Sequence, residues 1–242
     1  AALTALWDSG LATRPSLDPA DLVRKAERRT GLRDFGEENS WRLRLDRLAG
    51  ALEGEARLNP LGRTIAHGQI VAALVSRLRA EAMLQRYAGN DAAPPPVIIL
   101  GQMRSGSTRV QRLLASDPRL AATRFEESWT PVPARPFGID ERRWRARGAL
   151  AAARWINPGF GAIHPTGVGQ PEEEFGLHAM ALFGSQFEAQ WRVPSFARLC
   201  ETTDALPVYR DFARYLGLLR RLRRGGDTRP WVMKLPQFTQ DA

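Results

Sequence analysis

The chain has 242 residues, 43% hydrophobic and 25% charged, which gives room for one large domain and excludes a largely disordered chain. No apolar run approaches the roughly 18–20 residues of a membrane span, and the single cysteine, Cys200, excludes an intramolecular disulfide framework and fits a reducing, cytoplasmic setting. The formal net charge is +9, and all but two of the 35 cations are arginine (the lysines are Lys25 and Lys234), which points to polyanionic partners: nucleotides, nucleic acid or an acidic membrane surface.

The first ninety residues read as helices. Ser16 and Asp18 with Pro19 form a start signal, Leu22, Val23 and Ala26 form a stripe, and Gly31 is a natural stop. Ser40 caps a second helix in which Trp41, Leu45, Leu48 and Leu52 recur at helical spacing. After Asn59-Pro60, a third helix carries Ile70, Val71, Leu74, Val75 and Leu78, with arginines expected on its other face. Gly89 to Pro96 reads as a linker.

The character then changes. Val97-Ile98-Ile99-Leu100 is a short apolar, β-branched run of the kind found in a buried parallel strand. A loop follows from Gly101 to Gly106, and Ser107 or Thr108 starts a helix that ends before Asp117-Pro118. Strand, glycine-bounded loop and helix make half of a βαβ unit. Pro131–Gly138 reads as loop, Asp140–Trp155 as an arginine-studded helix, and Asn157–Gln170 as irregular. Pro171 with Glu172, Glu173 and Glu174 has the composition of a helix first turn. Val208, Phe212, Tyr215, Leu216, Leu219 and Leu222 stripe another helix, stopped by Gly225-Gly226, and Trp231-Val232-Met233 is a second strand ending at Lys234. The expected fold class is therefore α/β: residues 1–93 form a helical N-terminal extension and residues 94–242 a P-loop-like parallel sheet flanked by helices.

Gly101-Gln-Met-Arg104-Ser105-Gly106-Ser107-Thr108 has phosphate-loop spacing. A tight loop between a strand and a helix start aims backbone N–H groups at one point, where the helix dipole adds positive potential. Ser107 and Thr108 add hydroxyls and Arg104 a charged fork, although Ser107 or Thr108 also serves as an ordinary helix cap. Ser107 stands where a nucleotide triphosphatase has its lysine. The loop thus reads as built for phosphate without Mg-dependent triphosphate hydrolysis.

The stretch Pro94–Thr108 resembles the 5′-phosphosulfate loop of PAPS-dependent sulfotransferases, in particular the bacterial type related to tyrosylprotein sulfotransferases. Arg29–Gly36 and Ala56–Gly62 are similar to that subgroup's N-terminal extension, Phe125–Pro133 to its W-E-x-x-x-P-x-P stretch, His164-Pro165 with Pro171–Glu174 to its H-P…P-E-E segment, and Trp231–Pro236 to its W-V-L-K-S-P strand end. The resemblance implies transfer of a sulfuryl group from PAPS, with PAP as product and no metal, to a hydroxyl or amine on a small-molecule or peptide acceptor. It assigns the phosphate cradle to Arg104, Ser105, Gly106, Ser107 and Thr108. It assigns the acceptor's base to Glu127 or Glu126, with Glu127 favoured by its spacing to Pro131, and the transferred group to Lys234. His164 could contact acceptor or nucleotide, with a structural histidine as the competing reading; His67 and His178 read as structural. The family's 3′-phosphate residues lie downstream of the lysine strand, so the resemblance implies a chain incomplete at its C-terminus. The competing readings are a P-loop kinase or NTPase and a basic nucleic-acid-binding module. Against the second, the arginines are interleaved with acids and no nucleic-acid motif stands out.

Overall fold

A computed structural model describes residues 2–37, 40–87, 94–102, 105–134, 140–163, 165–223 and 226–242. In chain order these form helices α1 (Ala2–Asp8), α2 (Pro19–Thr30), α3 (Ser40–Gly54) and α4 (Pro60–Arg86), strand β1 (Val97–Ile98), helices α5 (Ser107–Ala115), α6 (Phe125–Trp129), α7 (Arg142–Ile156), α8 (Phe160–Ile163), α9 (Phe175–Ala179), α10 (Gln186–Gln190), α11 (Pro194–Thr202) and α12 (Leu206–Leu222), strand β2 (Val232–Met233) and helix α13 (Pro236–Gln240). They divide into one unit of residues 1–82 and 179–207 and another of residues 83–178 and 208–242.

The first unit is helical, and its boundaries follow local chemistry. Asp18 caps α2 by accepting a hydrogen bond from the Asp21 N–H at 3.0 Å, with Pro19 behind it, and Gly31 ends the helix in the left-handed region at φ 72°. The α3 stripe Trp41, Leu45, Leu48 and Leu52 is buried, with Trp41 stacked on Phe35 at 4.5 Å between centroids. Helix α4 departs from the expected amphipathic pattern. Arg77 is fully buried among its apolar residues, where its Nε donates to the Phe35 carbonyl at 2.6 Å. Arg44 on α3 is likewise buried and donates to the Ala181 carbonyl at 2.7 Å. The planar fork explains both: a guanidinium reaches loop carbonyls that no helix ladder satisfies.

In the second unit, β1 and β2 pair in parallel, Val97 opposite Val232 and Ile98 opposite Met233. Trp231 makes a further parallel bridge with Ala121, so β2 lies in the middle and is buried. The expectation of a buried β1 does not hold: Val97 and Ile98 are 41% and 48% exposed, because among the described residues β1 pairs on one edge only. Helix α5 begins at Ser107 and ends at Ala115, before Asp117-Pro118, as expected. The expected helix start at Pro171 is also displaced. Pro171 bridges antiparallel to Arg124, Glu172 donates its N–H to the Thr123 carbonyl at 2.8 Å, and the helix begins only at Phe175. Tertiary pairing here overrides the local preference of Pro-Glu-Glu-Glu for a helix start. The linker residues 88–93 lie outside the described residues.

Leu48→Ala removes a fully buried side chain from α3 and is expected to cost about 2–5 kcal/mol in urea unfolding, whereas Leu43→Ala, half exposed on the same helix, should stay within about 0.5 kcal/mol.

Candidate functional site

The loop between β1 and α5 is fixed at its first glycine. Gly101 donates its N–H to the Thr239 hydroxyl at 3.0 Å, and that hydroxyl lies 3.2 Å from the Gly101 carbonyl. The loop ends at Gly106, the residue before α5, whose φ of 86° is left-handed and favours glycine. A Cβ placed there would meet open space, so room remains in front of the helix. The first turn of α5 contains no acid, and no side chain caps it. Among the described residues the N–H groups of Gly106, Ser107 and Thr108 find no acceptor. Together with the helix dipole, this leaves an end with the character of an anion site.

Lys234 follows β2, at the carboxyl edge of the parallel pair, where α/β sheets place ligands. It is buried, its N–H donates to Glu174 Oε2 at 3.1 Å, and its ammonium pairs with the Glu173 carboxylate. Lys234, Glu173, Gly106, Ser107 and Thr108 line one open cleft of about 750 Å³, with Arg109 and Arg112 beside them.

The acids at residues 172–174 are held from several sides. Glu172 accepts from the Thr166 hydroxyl at 2.6 Å, and its carbonyl accepts from Gln111 of α5 at 3.3 Å. The Ser128 hydroxyl donates to the Glu173 carbonyl at 2.6 Å. Gly176 sits so close to α6 that a Cβ would fall 1.6 Å from the Ser128 carbonyl oxygen, which requires glycine there. Glu174 is fully buried; its Oε1 has no hydrogen-bond partner, and burial pushes its carboxyl up to about 8.

Glu126 and Glu127 sit on α6, away from this lining. Glu127 closes a capping box by accepting from the Arg124 N–H at 2.9 Å. Both of its oxygens also accept from Arg223, at 2.8 and 2.5 Å. Arg223 further donates to the Ala122 carbonyl at 2.6 Å and to Asp227 at 2.7 Å, and lies 4.2 Å from the Trp231 ring centroid. Glu126 pairs with Arg143 at 3.2 Å, its Oε2 makes no hydrogen bond, and burial raises its pKa. Arg104 and His164 lie outside the described residues. His67 joins the Ser16 carbonyl and Lys25 at 2.7 and 2.9 Å, and His178 is buried against Tyr209 and Phe212.

The sequence profile of the Sulfotransferase family matches residues 95–242. The chain belongs to this family. Among solved structures it is similar to sulfotransferase STF1 from Mycobacterium tuberculosis H37Rv, at 25% identity and a TM-score of 0.71 over 93% of this chain and 62% of that one. It shares its fold with sulfotransferase STF9 from Mycobacterium avium, at 22% identity and a TM-score of 0.72 over 90% of this chain and 56% of that one. The chain thus spans about 60% of the length of the sulfotransferases it matches. No curated protein sequence matches it significantly.

For a sulfotransferase chain the arrangement brings together Ser107, Thr108 and Lys234, which the sequence singled out, and adds Glu173, whose pairing with Lys234 it did not indicate. The acidic run after Pro171 was the available signal for Glu173. Nothing in the sequence marked Arg223.

Two outcomes follow. Arg223→Ala leaves Glu127 and Asp227 as buried carboxylates without their common cation and is expected to cost about 3–5 kcal/mol in urea unfolding, with Arg223→Lys recovering only part of it. Glu174 has a folded pKa of about 8 against an ordinary 4.5, so between those values the folded chain holds a proton that the unfolded chain has lost. Its contribution to stability therefore falls as pH rises from about 4.5 to about 8. Glu174→Gln should flatten that part of the pH–stability curve measured by denaturant unfolding.

Proposed function

We propose that the chain forms the phosphosulfate-binding part of a PAPS-dependent sulfotransferase that moves a sulfuryl group onto a hydroxyl or amine of a small-molecule or peptide acceptor. The observation that carries this reading is the open N-terminus of α5 facing the same cleft as Lys234. Ser105, Gly106, Ser107 and Thr108 would hold the 5′-phosphate, together with Arg104. The free space before Gly106 and the acid-free first turn fit such an anion. When bound, PAPS supplies the sulfuryl group and PAP is left as product.

Lys234 places a compact cation beside the cradle, where charge on the phosphate oxygen develops during transfer. Glu173 fixes that ammonium, which limits its reorganisation during the reaction. For the acceptor's proton, Glu126 is better suited than Glu127. Both oxygens of Glu127 are held by hydrogen bonds from Arg223, whereas among the described residues Glu126 has only the ion pair of its Oε2 with the exposed Arg143 at 3.2 Å, and burial raises its pKa, the direction a general base at neutral pH requires. His164 stays in this reading as a contact to acceptor or nucleotide.

Calorimetric titration tests the assignment. PAP is expected to bind without Mg²⁺, and the double change Ser107→Ala/Thr108→Ala to weaken it about tenfold or more. Lys234→Ala should leave PAP affinity within a few-fold while lowering the transfer rate. Binding of Mg-ATP with none of PAP would replace this reading by a kinase or NTPase.

A further inference from the structure

Helix α7 buries one side and leaves the other bare. Arg142, Ala146 and Leu150 face inward, and Phe125 and Val168 join the last two in an apolar cluster. On the opposite side Trp144 and Trp155 are 67% and 85% exposed. The two tryptophans are eleven residues apart, about three helical turns, and so lie nearly on one line. Between them are Gly148, Ala151 and Ala152, all exposed, which make a low ridge.

The helix itself carries charge of one sign, and the acids near it lie before it in the chain. From Arg142 to Gln170 the sequence holds five arginines and no acid. Arg142 is taken by Asp140 and Arg143 by Glu126. Arg145 approaches Glu141 only at 4.0 Å, and Arg154 reaches only the Thr166 carbonyl, at 3.4 Å. Arg147 lies over the Trp144 ring, 4.7 Å from its centroid, and has no carboxylate partner among the described residues.

We propose that α7 seats the protein on an anionic lipid surface, with Trp144 and Trp155 at headgroup depth and Arg145, Arg147 and Arg154 on lipid phosphates. Tryptophan is a side chain that gains from a boundary with one apolar and one wet side, and arginines flanking it match anionic headgroups. The helix lies on the surface and does not cross it: α7 has 15 residues, and none of the described helices is long and apolar enough to span a membrane. A second copy of the same face would bring like charges together, and the small residues between the tryptophans offer no knobs for a protein groove. A lipid surface needs neither acids nor knobs from this helix. This inference is independent of the donor chemistry proposed above.

Vesicle co-sedimentation of the chain tests it. Binding is expected to vesicles in which about a third of the lipid is phosphatidylglycerol, with a blue shift of tryptophan fluorescence, and to be at least about tenfold weaker on pure phosphatidylcholine. Trp144→Ala/Trp155→Ala and Arg145→Glu/Arg147→Glu should each weaken binding about tenfold or more with unchanged melting temperature, since all four side chains are exposed. Arg28→Glu/Arg29→Glu, on the exposed side of α2, carries the same change in net charge and should leave binding within a few-fold. Equal binding to both vesicles, equal loss in the α2 variant, or unaltered binding of the α7 variants would overturn the proposal. So would a light-scattering dimer that the tryptophan changes abolish while no vesicle binding is seen.

Discussion

The guanidinium of Arg223 is the contact on which the second unit depends. It joins the residue after α12 to the Glu127 carboxylate, the Ala122 carbonyl, the Asp227 carboxylate and the Trp231 ring. Each of these leads to a different part of the site. Glu127 caps α6; Ala122 follows Ala121, which bridges Trp231; Trp231 immediately precedes β2, whose end carries Lys234. A strand of two residues has little stability of its own, so its position has to come from what flanks it. Arg223 supplies that on one side, and the acidic segment, through Glu174 and the Lys234 N–H, supplies it on the other.

The three acids after Pro171 show how side-chain type and backbone placement divide the work. Neighbours in an extended stretch point to opposite faces, so Glu172, Glu173 and Glu174 meet different partners: a threonine hydroxyl, a lysine ammonium and a backbone N–H. A buried carboxylate is tolerated only with such partners. Glu173 has a cation beside it; Glu174 has one N–H and an orphaned oxygen, and burial pushes its pKa upward accordingly. The orphaned oxygen belongs to the carboxylate whose other oxygen accepts from the N–H of Lys234, the residue proposed to act on the transferred group.

Local signals and tertiary ones differ in how far they can be read from sequence. Caps and stops such as Asp18 and Gly31 are decided by the residue itself and its immediate neighbours, and the structure places them as expected, whereas the side-chain cap expected of Ser107 or Thr108 is not formed. The loop between β1 and α5 belongs to the same class, since strand, glycines and helix start are contiguous. Pro171–Glu174 has the same kind of helix-start composition but is extended, because Arg124 and Thr123 pair with it from 47 or more residues away. Arg223 was invisible for the same reason: in sequence it is one arginine among many at the end of a stripe. The exposure of β1 was unreadable too, since an apolar run reports a preference for burial and not the presence of a neighbour on its open edge.

The arginine excess illustrates the limit of composition as an argument about partners. Arg44, Arg63, Arg77, Arg142, Arg220 and Arg223 are largely buried, and each donates to loop carbonyls, to carboxylates or to both. A guanidinium has five donors in a fixed fork and suits chain ends and turns whose carbonyls no ladder satisfies. In this chain, then, a high isoelectric point partly reports how irregular segments are held together, not what the surface meets. Net charge becomes informative only after those internal arginines are set aside. What then remains is uneven: across α2 and α3 the outward arginines are interleaved with Asp21, Glu27, Asp46 and Glu53, which mutes their field beyond a Debye length. From Arg142 to Gln170, a stretch that begins with α7, no acid interrupts them, and the local sum of like charges, not the count over the whole chain, is what a distant anionic surface would feel.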